Sequence, residues 1–143
     1  KKLWKALLAK DLKTVIDCYN AELSAIPYMD FANAHEGFYR AIFLVILRAV
    51  SVPVYPECPT SKGRSDCVIE TPEHVYVFEF KVAQSDSEVQ TKGTEGLRQI
   101  QEKGYLEPYQ NRSKNVYGAC IVIYHKERKA FLETTEVGCS FWK

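Results

Sequence analysis

Long hydrophobic runs are missing from this sequence. The longest uninterrupted apolar stretch is Ala41–Leu47, far short of the ~20 residues that a membrane-crossing helix needs, so no membrane association is expected. CxxC pairs are missing too. The five cysteines (Cys18, Cys58, Cys67, Cys120 and Cys139) are scattered, and no histidine stands at zinc-finger spacing. That excludes a thiolate zinc site and leaves single reduced thiols, as in a cytoplasmic protein. Charge of one sign is balanced: 19 Lys and Arg against 18 Asp and Glu leave a net charge of +1. No global basic field announces a polyanion, so any nucleic acid has to be met by a local patch. The start, KKLWKALLAK, is cut by Lys5 and Lys10 and followed by no small-residue cleavage site, so a signal peptide is not expected. The first residue is Lys1 rather than Met, as in a fragment or a processed chain. There is no internal repeat and no low-complexity tract.

What is present suits a single packed domain. The chain has 143 residues, 46% of them hydrophobic and 13% aromatic, enough to bury a core and too few for two ordinary domains. Leu3, Trp4, Leu7, Leu8, Leu12, Val15, Ile16, Tyr19 and Leu23 recur mostly at three- and four-residue spacing, which predicts one amphipathic helix limited by Pro27. A second helix is expected after Asn33 through AHEGFYRAIFLVILRAV, apolar nearly all round in its second half and therefore buried. VPVYPEC reads as a Pro-broken edge strand. SDCVIE and VYVFEFKV read as strands joined by the turn TPEH. Gly93 and Gly96 read as a loop, GLRQIQEKGYLEPY as a helix ending near Gly104, and NVYGACIVIYHKE and RKAFLETTEV as a central strand and its neighbour. Helix, helix, three strands, helix, two strands is the order of a mixed α/β sandwich.

The strand VYVFEFKV breaks its apolar run with Glu79 and Lys81, and burying two charges costs several kcal/mol unless each finds a partner. If Thr71–His74 is a four-residue loop, opposite residues sum to 145. Asp66 then lies across from Glu79 and Arg64 across from Lys81, with facing Cβ atoms about 4.5–5.5 Å apart. Facing carboxylates repel, and a divalent cation between them reverses the sign. Oxygen donors suit Mg²⁺ or Mn²⁺, and the alternation puts Lys81 on the same face as Glu79. A slip of one residue would send Asp66 to the other face.

Asp66, twelve intervening residues, and Glu79-Phe80-Lys81 form the D-x(n)-E-x-K signature, and at these residues the chain resembles the PD-(D/E)XK nuclease superfamily. IPYMDFANAHEGFYRA, KGRSDCVIETPEHVYVFEFKV and LRQIQEKGYLEPY, in that order, are similar to the nuclease-like domain at the C-terminus of bacterial AAA-ATPase-like proteins. The resemblance implies a restriction-endonuclease-like three-layer sandwich, a mixed central sheet flanked by helices. The resemblance covers about residues 23–125, and the chain is expected to be one domain, 1–143, with 1–26 as an N-terminal helical extension. It implies a Mg²⁺- or Mn²⁺-dependent nuclease acting on nucleic acid, with DNA as the expected form, and an AAA-ATPase-like domain in the full-length protein. Asp66 and Glu79 look like the metal-binding carboxylates and Lys81 like the lysine that orients the attacking water. Glu36 looks like the helix-borne acid beside the metal. Gln99 and Arg64 are the candidate substrate contacts. Ser65 stands where the superfamily name has Pro. The interval from Lys81 to Gln99 is long, with QTKGTEG as an insertion, so Gln101-x-x-x-Tyr105 is a rival match.

Plainer readings stand beside these. Asn33-x-x-Glu36 fits a capping box, and Arg40 is placed for an i,i+4 pair with Glu36. Asp66 could pair with Arg64, and Glu79 with Lys81 on an exposed face, for at most about 1 kcal/mol. Glu57 is a candidate supporting acid. His35, His74 and His125 show no ligand spacing, and KERK and NRSKN read as solvated turns. A nuclease fold without catalysis, binding nucleic acid or a protein partner for an ATPase, is the alternative function, favoured by the near-neutral charge.

Overall fold

A computed structural model describes residues 2–27, 34–60, 63–110 and 114–134. Three helices, α1 (Lys2–Leu8), α2 (Leu12–Ser24) and α3 (Glu36–Ala49), precede three strands, β1 (Val54–Thr60), β2 (Gly63–Glu70) and β3 (His74–Ala83). Helix α4 (Glu88–Glu102) and strands β4 (Asn115–Tyr124) and β5 (Lys129–Thr134) follow. The strands make one sheet in the order β1-β2-β3-β4-β5, antiparallel except for the parallel β3–β4 pair that α4 connects. The β2–β3 register runs from Glu70↔Val75 to Cys67↔Phe78, the pairing in which residue numbers sum to 145. Thr71 holds that turn: its backbone N–H donates to the His74 carbonyl, and its Oγ1 accepts from the His74 N–H.

Both faces of the sheet are covered. On one, Phe78, Phe80, Tyr76, Ile121 and Ile69 pack with Leu7, Tyr19, Leu23, Tyr39, Phe43 and Leu47 from α1–α3. On the other, Val68, Val75, Val77 and Val116 pack with Ile100, Tyr105 and Leu106, and Cys120 and Val122 pack near Leu97. Each such side chain contributes about 1.5–3 kcal/mol by leaving water. The result is a mixed α/β three-layer sandwich. In β3 every residue from His74 through Phe80 is buried, Glu79 included, as expected of a strand with neighbours on both sides and helices on both faces.

Four expectations need correction. The single first helix is two, because Lys10 takes a left-handed conformation, φ 59°. The Asp11 N–H reaches the Ala6 carbonyl and the Lys10 N–H the Leu7 carbonyl, a Schellman stop. Asp11 then caps α2 by accepting from the Thr14 N–H. The break also sets Lys10 Nζ 4.7 Å from the Tyr117 ring centroid. The cap of α3 is His35, whose Nδ1 accepts from the Gly37 N–H; Asn33 lies outside the described residues, as do residues 111–113 of NRSKN, residues 135–137 of the last predicted strand, and Cys139. Helix α3 is not buried all round, since Val45 is 64% exposed. Strand β4 is interior as expected, flanked by β3 and β5, while β3 lies at the middle of the sheet.

The fourth correction concerns Gly93 and Gly96, which lie inside α4 and not in a loop. Their role is close approach. A Cβ on Gly93 would collide with Glu133 Cγ, and one on Gly96 with Cys120 Sγ. The missing side chains let α4 lie directly on β4 and β5. The backbone freedom is used instead at Gly104, φ +62°, where the Tyr105 N–H reaches back to the Ile100 carbonyl and ends the helix.

Gly96→Ala should therefore destabilise the protein. Overpacking costs typically 1–3 kcal/mol and outweighs the roughly 1 kcal/mol that alanine gains in a helix. Cys120→Ala in the same chain should restore part of the loss. Gly93→Ala should cost less, because Glu133 is only half-buried and can swing away. Urea unfolding of the three variants against wild type checks the order.

Candidate active site

The site forms where the β2–β3 ladder stops. Beyond Cys67↔Phe78 the next backbone donor, the Phe80 N–H, goes not to a strand carbonyl but to Asp66 Oδ2, at 2.8 Å. The carboxylate thus replaces a ladder bond and fixes its own position against β3. Continuing the register sets Asp66 opposite Glu79, and strand alternation keeps Lys81 on their face, the face that α4 covers. Asp66 Oδ1 is held by Arg40 Nη1 from α3, at 3.2 Å.

Glu79 is 4% exposed, and its Oε1 is buried without a hydrogen-bond partner. Burial pushes its carboxyl up to about 8, the negative charge of Asp66 adds to the rise, and Glu36 adds a little more. Lys81 and a backbone hydrogen bond from Asp66 oppose the shift. Glu36, in the first turn of α3, is half-buried. Its carboxyl is raised by burial and then by Asp66, and lowered by Lys81, Arg40 and His35. These mutual influences place Glu36, Asp66, Glu79 and Lys81 in one electrostatic neighbourhood. Cys120, which pairs with Glu79 across β4, has its thiol pushed up by burial and by Glu79.

Lys81 Nζ donates to Gln99 Oε1 at 2.7 Å. Gln99 Nε2 in turn lies 3.4 Å from the Tyr105 hydroxyl. Gln101, the rival match, is exposed, so of the two it is Gln99 that faces the lysine. Glu95 Oε1 lies 3.9 Å from the Lys81 ammonium and the same distance from Lys92. Lys81 therefore has a neutral acceptor at close range and an acid at the margin. Its ammonium is fixed but still 19% exposed at the side chain.

Arg64 does not join this group. The paired register ends before it, and its guanidinium sits on Glu57 at 3.0 Å, both largely exposed. The plainer pairing of Asp66 with Arg64 is accordingly replaced by Asp66 with Arg40. Arg40 was legible only as a helix neighbour of Glu36, one turn on, because spacing within a helix says nothing about a strand elsewhere. Glu95 carried a signal of its own, four residues before Gln99 on the same helical face. Of the histidines, His35 caps α3, His74 is buried against Tyr76 and Tyr117, and His125 Nδ1 meets the Tyr39 hydroxyl at 2.7 Å. The KERK turn is more than solvated, since Arg128 donates to the Ile26 carbonyl.

Among the described residues no group of three or more His, Cys, Asp or Glu side chains is disposed to hold a metal ion. Two carboxylates with all-oxygen donors and one buried oxygen lacking a partner do fit a hard divalent cation of the magnesium kind, which keeps several waters and takes few protein ligands.

A family model for the PD-(D/E)XK nuclease superfamily matches residues 34–133. The chain is also similar to an uncharacterized protein in the vnfD 5' region of Azotobacter chroococcum mcd 1, with 31% identity over 119 residues, 80% of this chain. The chain spans 22% of that relative's length. No solved structure matches.

The raised Glu79 carboxyl carries a stability cost with a definite sign. From its ordinary 4.5 up to about 8 the folded state keeps a proton that the unfolded state gives up, so metal-free stability falls as pH rises through this window. Glu79→Gln removes that dependence. In EDTA it should match wild type near pH 4 and exceed it at pH 8 by on the order of 4 kcal/mol. Urea titrations at both pH values measure the difference; an unchanged gap would show that Glu79 does not titrate in this window.

Proposed function

Because the chain belongs to the PD-(D/E)XK nuclease superfamily, we propose that it hydrolyses phosphodiester bonds in nucleic acid in a reaction dependent on Mg²⁺ or Mn²⁺. The observation that carries this reading is the grouping of Asp66, Glu79 and Lys81 around a buried carboxylate oxygen without a partner. Mutually repelling acids buried beside a tethered lysine are costly to a fold and useful to phosphoryl chemistry.

In this reading Asp66 and Glu79 hold the cation. A divalent ion so held supplies polarisation of the phosphoryl oxygen and a lowered pKa for nearby water. Lys81 aims its ammonium at the attacking water and at charge developing on the phosphate. Gln99 fixes the Lys81 ammonium through its Oε1 and so limits its rotamers, and Glu36 adds an acid at the rim of the site. Arg64, exposed beside Glu57, is a contact for the substrate backbone outside the chemical centre. DNA is the proposed form of the substrate. An ATPase-like domain elsewhere in the full-length protein is a further part of the proposal, since the Azotobacter relative extends well beyond the matched region. ATP hydrolysis by the full-length protein tests it.

The net charge of +1 favours a second reading, a nuclease fold that binds nucleic acid without cutting it. A labelled panel of single- and double-stranded DNA and RNA, incubated with Mn²⁺, separates the two. Lys81→Ala should lower cleavage about 10²–10³-fold, as for loss of one electrostatic donor, while leaving metal affinity in place. Gln99→Ala, which frees the lysine without removing it, should cost about tenfold. Wild type that cuts nothing on the panel would leave the binding reading standing.

A further inference from the structure

Among the described residues, Arg40 is the cation bonded directly to Asp66, and the manner of that bond has a consequence for metal loading. Asp66 has two carboxylate oxygens. Oδ2 is committed to the Phe80 N–H, part of the strand geometry itself. Oδ1 is the oxygen free of the backbone, and Arg40 Nη1 occupies it. The pair is mostly withdrawn from solvent, with side chains 28% and 14% exposed, so water weakens it less than an ordinary surface bridge. Glu79, with its unpartnered Oε1, lies across the strand pair.

We propose that Arg40 is a built-in counter-cation, which holds Asp66 Oδ1 while the site is metal-free and is displaced from it when a divalent ion binds. The inference rests on Asp66 and Glu79 being the metal carboxylates. It adds that metal affinity is set by competition with a side chain, not by the carboxylates alone. Two charges of like sign cannot share one carboxylate oxygen at low cost, and a guanidinium cannot deprotonate to step aside. It must swing away. The Arg40 side chain, 28% exposed, has a path toward solvent along which to do so. In exchange, the metal-free protein avoids the full repulsion between Asp66 and Glu79.

Arg40→Gln and Arg40→Lys, with Lys13→Gln as a control for loss of one remote positive charge, test this by calorimetric titration with MnCl₂. Melting in EDTA is measured alongside. Arg40→Gln should bind Mn²⁺ at least about tenfold more tightly than wild type, equivalent to about 1.4 kcal/mol, and should melt lower in EDTA. Most of that loss should return in saturating Mn²⁺. Arg40→Lys, which keeps the charge but not the planar fork, should fall between. Lys13→Gln should match wild type, as its partner is the distant, exposed Asp17. Equal or weaker Mn²⁺ binding by Arg40→Gln, in a protein that still melts cooperatively, would overturn the proposal and make Arg40 an orienting residue for Asp66. Failure of the two-carboxylate reading looks different: then neither wild type nor Arg40→Gln binds Mn²⁺.

Discussion

The repulsion among acids at the open end of the β2–β3 pair is the constraint on which the site depends. Glu79 is buried in the middle strand, Asp66 faces it, and Glu36 adds charge from the start of α3. None of these could be kept at such close quarters without compensation. The structure supplies it in three forms: the Phe80 N–H on Asp66, the Arg40 guanidinium on the same carboxylate, and the Lys81 ammonium beside both. What is left uncompensated is the Glu79 oxygen with no partner. A divalent cation would address that deficit, and the family to which the chain belongs typically uses one.

Each compensating group comes from a different part of the chain, which explains why the whole fold is needed to hold a few side chains. Lys81 is positioned by Gln99 on α4. Helix α4 reaches that position only because Gly93 and Gly96 let it lie on β4 and β5 without a Cβ between. Arg40 and Glu36 come from α3 on the other side of the sheet, anchored there by Tyr39, Phe43 and Leu47 in the main core. The site therefore lies where both helical layers meet the end of one strand ladder. Packing on either side sets its electrostatics.

The acids and the lysine were legible in the chain because their signal is local. Two strands joined by a four-residue turn leave one register consistent with the hydrophobic alternation, and that register sets Asp66 against Glu79 on the face of Lys81. The order of elements and the sandwich class were legible for the same reason, since periodicity and turn chemistry act over a few residues. Some local signals have two structural meanings. Glycine marks conformational freedom at Gly104 but close packing at Gly93 and Gly96, and nothing within α4 distinguishes them. Lys10 interrupts a continuous apolar stripe by adopting a left-handed conformation, and lysine carries no forewarning of that.

Sequence alone thus determined the sheet hairpin, its register and the acid–acid–lysine set, all consequences of the two-residue period of a strand and the length of one turn. Tertiary structure alone decided which cation neutralises Asp66 and which glutamine meets Lys81. It also decided how far Glu79 is withdrawn from water. The partners Arg40–Asp66 and Lys81–Gln99 are 26 and 18 residues apart in the chain and lie on different elements. Helix spacing offered Arg40 to Glu36, and strand spacing offered Arg64 to Asp66 or Lys81; neither pairing prevailed. Side-chain pairing across layers follows from how helices pack onto a sheet, and that depends on the volumes of all the residues between them. Burial of Glu79 follows from the same cause, because it needs a strand on each side and a helix overhead.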